Sequence, residues 1–125
     1  MIQHESLLNV ADNSGADLVL CIHVVGSTRR RYARVGDLII CSVKSASVGG
    51  AVKRKEIVTC LVVRTRSRIK RDDGSVIRFD ENAVVIVNKD GNPRGSRVFG
   101  PIPREIKNAS KGRYSKIASL AKEVV

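Results

Sequence analysis

Tryptophan is absent from the 125 residues, and two phenylalanines and two tyrosines are the only other aromatics. A core of large rings is therefore excluded. So is a surface that stacks base after base on aromatic side chains. No run of about 18 apolar residues occurs, which rules out a transmembrane helix. Cysteine is scarce and odd in number: Cys21, Cys41 and Cys60 lie far apart, each inside an apolar run. A disulfide framework does not fit, and a reducing compartment is expected. Lysine and arginine are missing from the first 25 residues. Met1 to Asn9 thus has no basic n-region, no long apolar stretch and no Arg-rich character, so neither a secretory signal nor a transit peptide is read there.

What is present is aliphatic and basic. Valine and isoleucine number 18 and 11 against 7 leucines, a β-branched excess that favours strands. Hydrophobic residues make up 42%, enough for one folded domain of this length. The formal net charge is +11 and the sequence pI about 10.2. That balance calls for a polyanionic partner, nucleic acid before an acidic membrane. The charge is laid out in blocks: net −3 over residues 1–25, +10 over 26–72, −2 over 73–91 and +6 over 92–125. A surface designed only for solubility mixes its signs. Two cationic blocks separated by acidic stretches resemble the footprint of a face that meets phosphates.

Alternation and turn signals place the elements. Asp17 to Val25, Leu38 to Ala46 and Ile57 to Arg66 read as strands, and Val76 to Phe79 and Ala83 to Val87 as shorter ones. Asp72-Asp73-Gly74 predicts the turn of a hairpin. Short strands broken by Gly and Asp turns suggest a small closed or half-closed barrel, which also leaves no aliphatic edge exposed. After Pro103, Arg104 to Asn108 and Ser115 to Ala121 allow helical turns, with Ile117 and Leu120 spaced to pack on the barrel.

The cationic clusters carry the candidate chemistry. In an extended chain Arg64, Arg66, Arg68 and Lys70 share one face. They would form a ladder spanning roughly 20 Å, long enough to follow several phosphates. The bland alternative is a strand edge made basic to prevent pairing. Arg29, Arg30 and Arg31 form a loop able to clamp phosphates. Lys53, Arg54 and Lys55 sit on a second loop, and Arg94, Arg97 and Arg104 repeat the theme. Lys44, Arg71 and Arg78 complete the basic set. Asn13 and Ser14 lie in a tight turn, Asp12 to Ala16, that either offers polar groups to a sugar or phosphate or simply connects two strands. Tyr32 and Tyr114 are the aromatics available for contact, because Phe79 and Phe99 sit among apolar residues. Recognition of backbone and shape in folded RNA is therefore expected over reading of a single strand.

Catalysis has little support. His4 and His23 are distant from each other, and neither has a cysteine or carboxylate at metal-ligand spacing. The cysteines are read as small hydrophobes. Asp72, Asp73, Asp80 and Glu81 sit at turns, where local hydrogen bonding explains them. No catalytic residue, metal ligand or cofactor site is assigned.

Several segments together resemble a known family. Leu8-Asn9-Val10-Ala11-Asp12-Asn13-Ser14-Gly15-Ala16 is similar to its amino-terminal signature. Arg31-Tyr32-Ala33, Val35-Gly36-Asp37, Val62-Val63-Arg64-Thr65, Asp73 to Asp80, Asn82-Ala83 and Arg97-Val98-Phe99-Gly100-Pro101 follow in order. Arg104-Glu105 and Lys116 to Ala121 close the series. The family is the universal large-subunit ribosomal protein family numbered fourteen, of bacterial or organellar type, and the likeness covers nearly the whole chain.

The resemblance implies a mainly β fold: a five-stranded β-barrel over residues 1–100, a protruding hairpin near 64–79 and a short helical part over 101–125. It implies a structural constituent of the large ribosomal subunit, in bacterial cytoplasm or in a plastid or mitochondrial matrix. The implied partners are large-subunit rRNA, a neighbouring large-subunit protein and, at an intersubunit bridge, small-subunit rRNA. A ribosome silencing factor docks on the family near the matches to Ser96, Arg97 and Lys116. A free RNA-binding regulatory barrel is the alternative reading. The chain departs from the bacterial pattern in a longer stretch that includes Lys111-Gly112-Arg113, in Lys122 where proline is usual, and in Asp17 where a basic residue is common.

Overall fold

The computed structural model describes residues 2–3, 5–26, 31–88, 90–108 and 114–125. Five strands close a barrel in the order β1 (Leu7–Val10), β2 (Ala16–Val24), β3 (Leu38–Ala46), β4 (Ile57–Arg64) and β7 (Ala83–Val87). Neighbours run antiparallel except β1 and β7, whose parallel pairing of Asn9 with Ala83 and Val10 with Val84 shuts the cylinder. Two further strands, β5 (Ile69–Lys70) and β6 (Val76–Ile77), make a separate two-stranded hairpin between β4 and β7. Short helices α1 (Glu105–Asn108) and α2 (Ser115–Leu120) follow. The extra stretch containing Lys111, Gly112 and Arg113 lies outside the described residues, as do His4, Arg29 and Arg30.

Closure explains the alternation. One face of each strand fills the interior with Leu8, Val19, Cys21, Ile39, Cys41, Val43, Val58, Cys60, Val62, Val84 and Ile86. The other face meets solvent over β1 to β3 and at the start of β4, where Leu7, Ile22 and Ile57 stay exposed. Over the later residues of β4 and along β7 both faces are covered, because Leu61, Val63, Ala83, Val85 and Val87 form a second core with Val98, Ile102, Ile106, Tyr114, Ile117 and Ala118. Strands buried on both sides lose their alternation and become continuous apolar runs. That accounts for the unbroken Leu61-Val62-Val63 and Ala83 to Val87. Ile117 is buried in this second core and Leu120 packs against it, as their spacing suggests.

Four features correct the sequence reading. The strand expected to reach Arg66 ends at Arg64, and a register shift against β7 falls between Val62 and Arg64. The short strand β1 has no counterpart among the predicted elements. Tyr114 is buried at the start of α2 and is not available for contact. Phe99, expected among apolar side chains, is half exposed. Tyr32 is exposed as anticipated.

One close approach depends on glycine. A Cβ on either Gly15 or Gly50 would lie 2.8 Å from the other's Cα, and Gly15 has φ +108°. Only paired glycines let the Asp12–Ala16 turn lie flat on the Ser47–Ala51 loop. There Ser47 N–H donates to the Gly15 carbonyl and Ala51 N–H to that of Ser14.

The three thiols sit inside the barrel, fully buried. Cys21 faces Cys41 directly across β2 and β3. Burial first, and then the neighbouring Cys41, push the Cys21 thiol up to about 11 from an ordinary value near 9. The hydrogen bond with Cys41, then burial, also raises Cys60. These thiols should stay unmodified by a maleimide at pH 7.5 until urea unfolds the chain. The unfolded Cys21 ionises near pH 9 while the folded one holds its proton to about 11, so stability falls as pH rises between those values. The expected loss is about 2–3 kcal/mol, and Cys21→Ala should flatten that alkaline decline in urea titrations.

Candidate nucleic-acid interface

The sequence treats every cation as a surface group, whereas the structure divides them in two. Arg64 is the clearest member of the first class, being only 6% exposed. Its Nη1 donates to the carbonyls of Phe99 (2.7 Å) and Pro101 (3.1 Å), and its Nη2 pairs with Glu81 Oε1 at 2.8 Å. Glu81 in turn accepts from Asn9 Nδ2 at 2.9 Å. The guanidinium thus ties β4 to β1 and to the 99–101 turn. Gly100 makes room for it: a Cβ there would come within 2.5 Å of Nη1, and its φ of +79° already favours glycine. The expected ladder therefore lacks its first rung. The register shift before Arg64 breaks the period of two on which the ladder depended.

Arg71 and Arg94 are also committed. Arg71 grips Glu105 with two hydrogen bonds, at 2.8 and 3.2 Å, and reaches the main-chain oxygen of Val125 at 2.6 Å. It fastens the base of the hairpin to α1 and the end of the chain. Burial pushes the Glu105 carboxyl up, but the Arg71 hydrogen bonds and the charges of Arg71 and Arg104 outweigh it and leave it below the usual carboxylate range. Arg94 pairs with Glu56 at 2.9 Å and holds its carboxyl low. In the Asp12–Ala16 turn, Asn13 Oδ1 accepts from the N–H groups of Ser96 and Arg97, and its Nδ2 donates to Ser96 Oγ. Ser14 is buried, with its hydroxyl donated to Asp12. Asp12 accepts from Ile86 N–H as well. The turn is a brace that commits the Ser14 hydroxyl and the Asn13 amide oxygen within the fold, while Asn13 itself stays exposed.

Glu105 gives a pH test of that bracing. Its lowered carboxyl contributes stability above the unfolded value, and the contribution disappears as pH falls through the folded one. Acid titration should therefore loosen the hairpin base, read as lost protection of the Arg71 amide relative to its intrinsic exchange rate, and Glu105→Gln should show that lost protection already at pH 7.

The second class is exposed. Arg31, Lys44, Lys53, Arg54, Lys55, Arg66, Arg68, Lys70, Arg78, Arg97, Arg104 and Lys116 all reach solvent. Among the described residues, none of their side chains forms an ion pair. Arg66 and Ser67 lie in a bend, so the extended geometry of the expected ladder is interrupted again there, and Arg68 and Lys70 follow at the start of β5, with Ser67 and Ile69 partly covered. They lead into the β5–β6 hairpin, whose Asp72-Asp73-Gly74 tip is closed locally. Asp73 accepts from the hydroxyl and N–H of Ser75, and those bonds hold its carboxyl low.

The hairpin also brings together cations distant in sequence. Arg34, Arg68 and Lys70 line a cavity of about 480 Å³ with Val35, Thr65, Ser67, Ile69 and Glu105. Arg34 is not among the residues singled out from the sequence. Its position in the basic loop just before the Gly36-Asp37 turn is the signal that points to it. Ser96 and Arg97 are held by Asn13, and Lys116 lies exposed on α2. Val98 bridges Ala121 just past that helix, which links the two segments.

Among the described residues, no cluster of His, Cys, Asp and Glu could hold a metal ion, and no helix is long and apolar enough to cross a membrane. A family model, described as ribosomal protein L14p/L23e, matches residues 1–125.

Proposed function

The chain belongs to the ribosomal protein L14p/L23e family and is a structural constituent of the large ribosomal subunit, and from this premise we propose that it binds folded large-subunit rRNA through its unpaired cations. One observation carries the reading. The fold spends Arg64, Arg71 and Arg94 on its own carboxylates and leaves a further set of exposed arginines and lysines that form no ion pair among the described residues. Unpaired like charges repel, and an RNA backbone relieves that repulsion while releasing its counterions. Because the hairpin and loops are anchored to a rigid barrel, part of the ordering cost is met before binding. Arg66, Arg68 and Lys70, with Arg34, are the proposed centre of this surface. Arg31, Arg78 and the Lys53–Lys55 loop extend it.

The same reading includes a bridge to small-subunit rRNA and contact with a neighbouring large-subunit protein. The hairpin supports the first, since it forms a sheet of its own outside the barrel and carries charge. The exposed aliphatic residues Leu7, Ile22 and Ile57 support the second. A silencing factor at Ser96, Arg97 and Lys116 would rest on a turn whose shape depends on Asn13.

The test is the salt dependence of binding to an rRNA fragment containing the protein's site. Log affinity should fall linearly with log salt, by several units per tenfold change, at about 0.7–0.9 per phosphate neutralised. A flat response would contradict phosphate recognition. Absence of the protein from large subunits isolated at low salt would instead favour a free regulator.

A further inference from the structure

We propose that the cavity between the 34–35 turn and the root of the β5–β6 hairpin holds one unstacked nucleotide of rRNA, its base against Val35 and Ile69 and its phosphate on Arg34, Arg68 and Lys70. This site lies within the RNA-binding reading above and rests on it. The volume of about 480 Å³ is in the range of small-molecule sites. A strand passing over the surface needs cations alone, not a concavity with an apolar floor. Here the floor is Val35, partly buried against the second core, and Ile69, half covered at the start of the hairpin.

The rim cations come from two separate segments. All three are exposed, and among the described residues none has an ion pair. RNA-binding proteins sandwich splayed-out bases between aromatic rings or on guanidinium planes. Among the described residues no aromatic lines this cavity, so the aliphatic Val35 and Ile69 are the surface available to the base, and Arg34, Arg68 and Lys70 are left for the phosphate. Glu105 lies on the same wall, gripped by Arg71. Its negative charge repels a phosphate and directs it to the rim formed by Arg34, Arg68 and Lys70. The Thr65 hydroxyl is already donated to the Ser67 carbonyl at 3.3 Å, which leaves that side of the wall mostly apolar in character.

Adenosine or cytidine monophosphate and ribose 5-phosphate are the probes, titrated into the isotope-labelled full chain at fixed ionic strength. The mononucleotide should shift the signals of Val35, Thr65 and Ile69 and bind at least fivefold tighter than ribose 5-phosphate. Ile69→Ala, which removes most of the apolar surface offered to the base, should narrow that difference to less than twofold. If this variant does not fold, Arg68→Ala carries the comparison and should weaken the mononucleotide at least threefold. Equal affinity for the two probes, or shifts away from the cavity, would overturn the proposal. So would density for a protein side chain in the cavity in an assembled subunit. Failure of the two proposals is distinguishable. A steep salt slope on the rRNA fragment without base-dependent shifts removes the pocket and leaves the RNA-binding reading intact. Absence of fragment binding removes that reading first.

Discussion

Replacing Arg64 with alanine should destabilise the protein by about 3 kcal/mol while leaving the salt slope of rRNA binding unchanged. The side chain is nearly fully buried and makes three hydrogen bonds, two of them to carbonyls. Deleting it strands the Phe99 and Pro101 oxygens at a cost of about 1–3 kcal/mol for each one that water does not reach. The packed aliphatic stem is lost too. Glu81 is 44% exposed in its side chain and can turn to solvent. The cost therefore stays near the lower end of the roughly 3–5 kcal/mol typical of a broken buried pair. Arg64→Lys should recover only part of it, because a single ammonium cannot reproduce the planar fork. Gly100→Ala should be destabilising at the same place, since its methyl would collide with Nη1. Urea titrations of the three variants measure all of this. A stable Arg64→Ala protein with weakened RNA binding would return Arg64 to the surface set.

The opposite behaviour is expected of the triple variant Arg66→Ala, Arg68→Ala, Lys70→Ala. Its urea midpoint should move little, because exposed side chains without ion pairs contribute within about 0.5 kcal/mol each. Its affinity for the rRNA fragment should fall by about a thousandfold, roughly tenfold per lost phosphate contact. The log–log salt slope should become shallower by about three units, one for each contact removed. Filter binding at several salt concentrations reads both quantities. A triple variant that binds like the parent would move the interface elsewhere on the molecule. Loss of binding accompanied by unfolding would mean that these side chains act in the fold.

Much of the fold is legible in the sequence because the barrel obeys local rules. Leu38 to Ala46 alternates and is a strand with one wet face. Ala83 to Val87 is a continuous apolar run and is covered on both sides. Asp72-Asp73-Gly74 forms the turn that its chemistry favours. The strand β1 escapes such rules because four residues give too short a period, and its place is fixed by pairing with β2 on one side and with β7, more than 70 residues away, on the other.

The candidate site is less legible, for a similar reason. The partners of Arg64 lie 17, 35 and 37 residues away, and those of Arg71 are 34 and 54 residues away. Spacing reports which side chains share a face of a straight strand. It does not report a bulge in that strand or a remote carbonyl that needs a donor. The burial of Tyr114 and the exposure of Phe99 are hidden likewise, since both depend on how the last quarter of the chain folds back over β4 and β7.

A density map of the assembled large subunit tests the central claim most directly. Phosphate oxygens should lie within about 3 Å of the guanidinium or ammonium nitrogens of Arg66, Arg68 and Lys70, with Arg64 turned inward to the Phe99 and Pro101 carbonyls. RNA lying instead against Leu7, Ile22 and Ile57, with the hairpin cations facing open water, would contradict it.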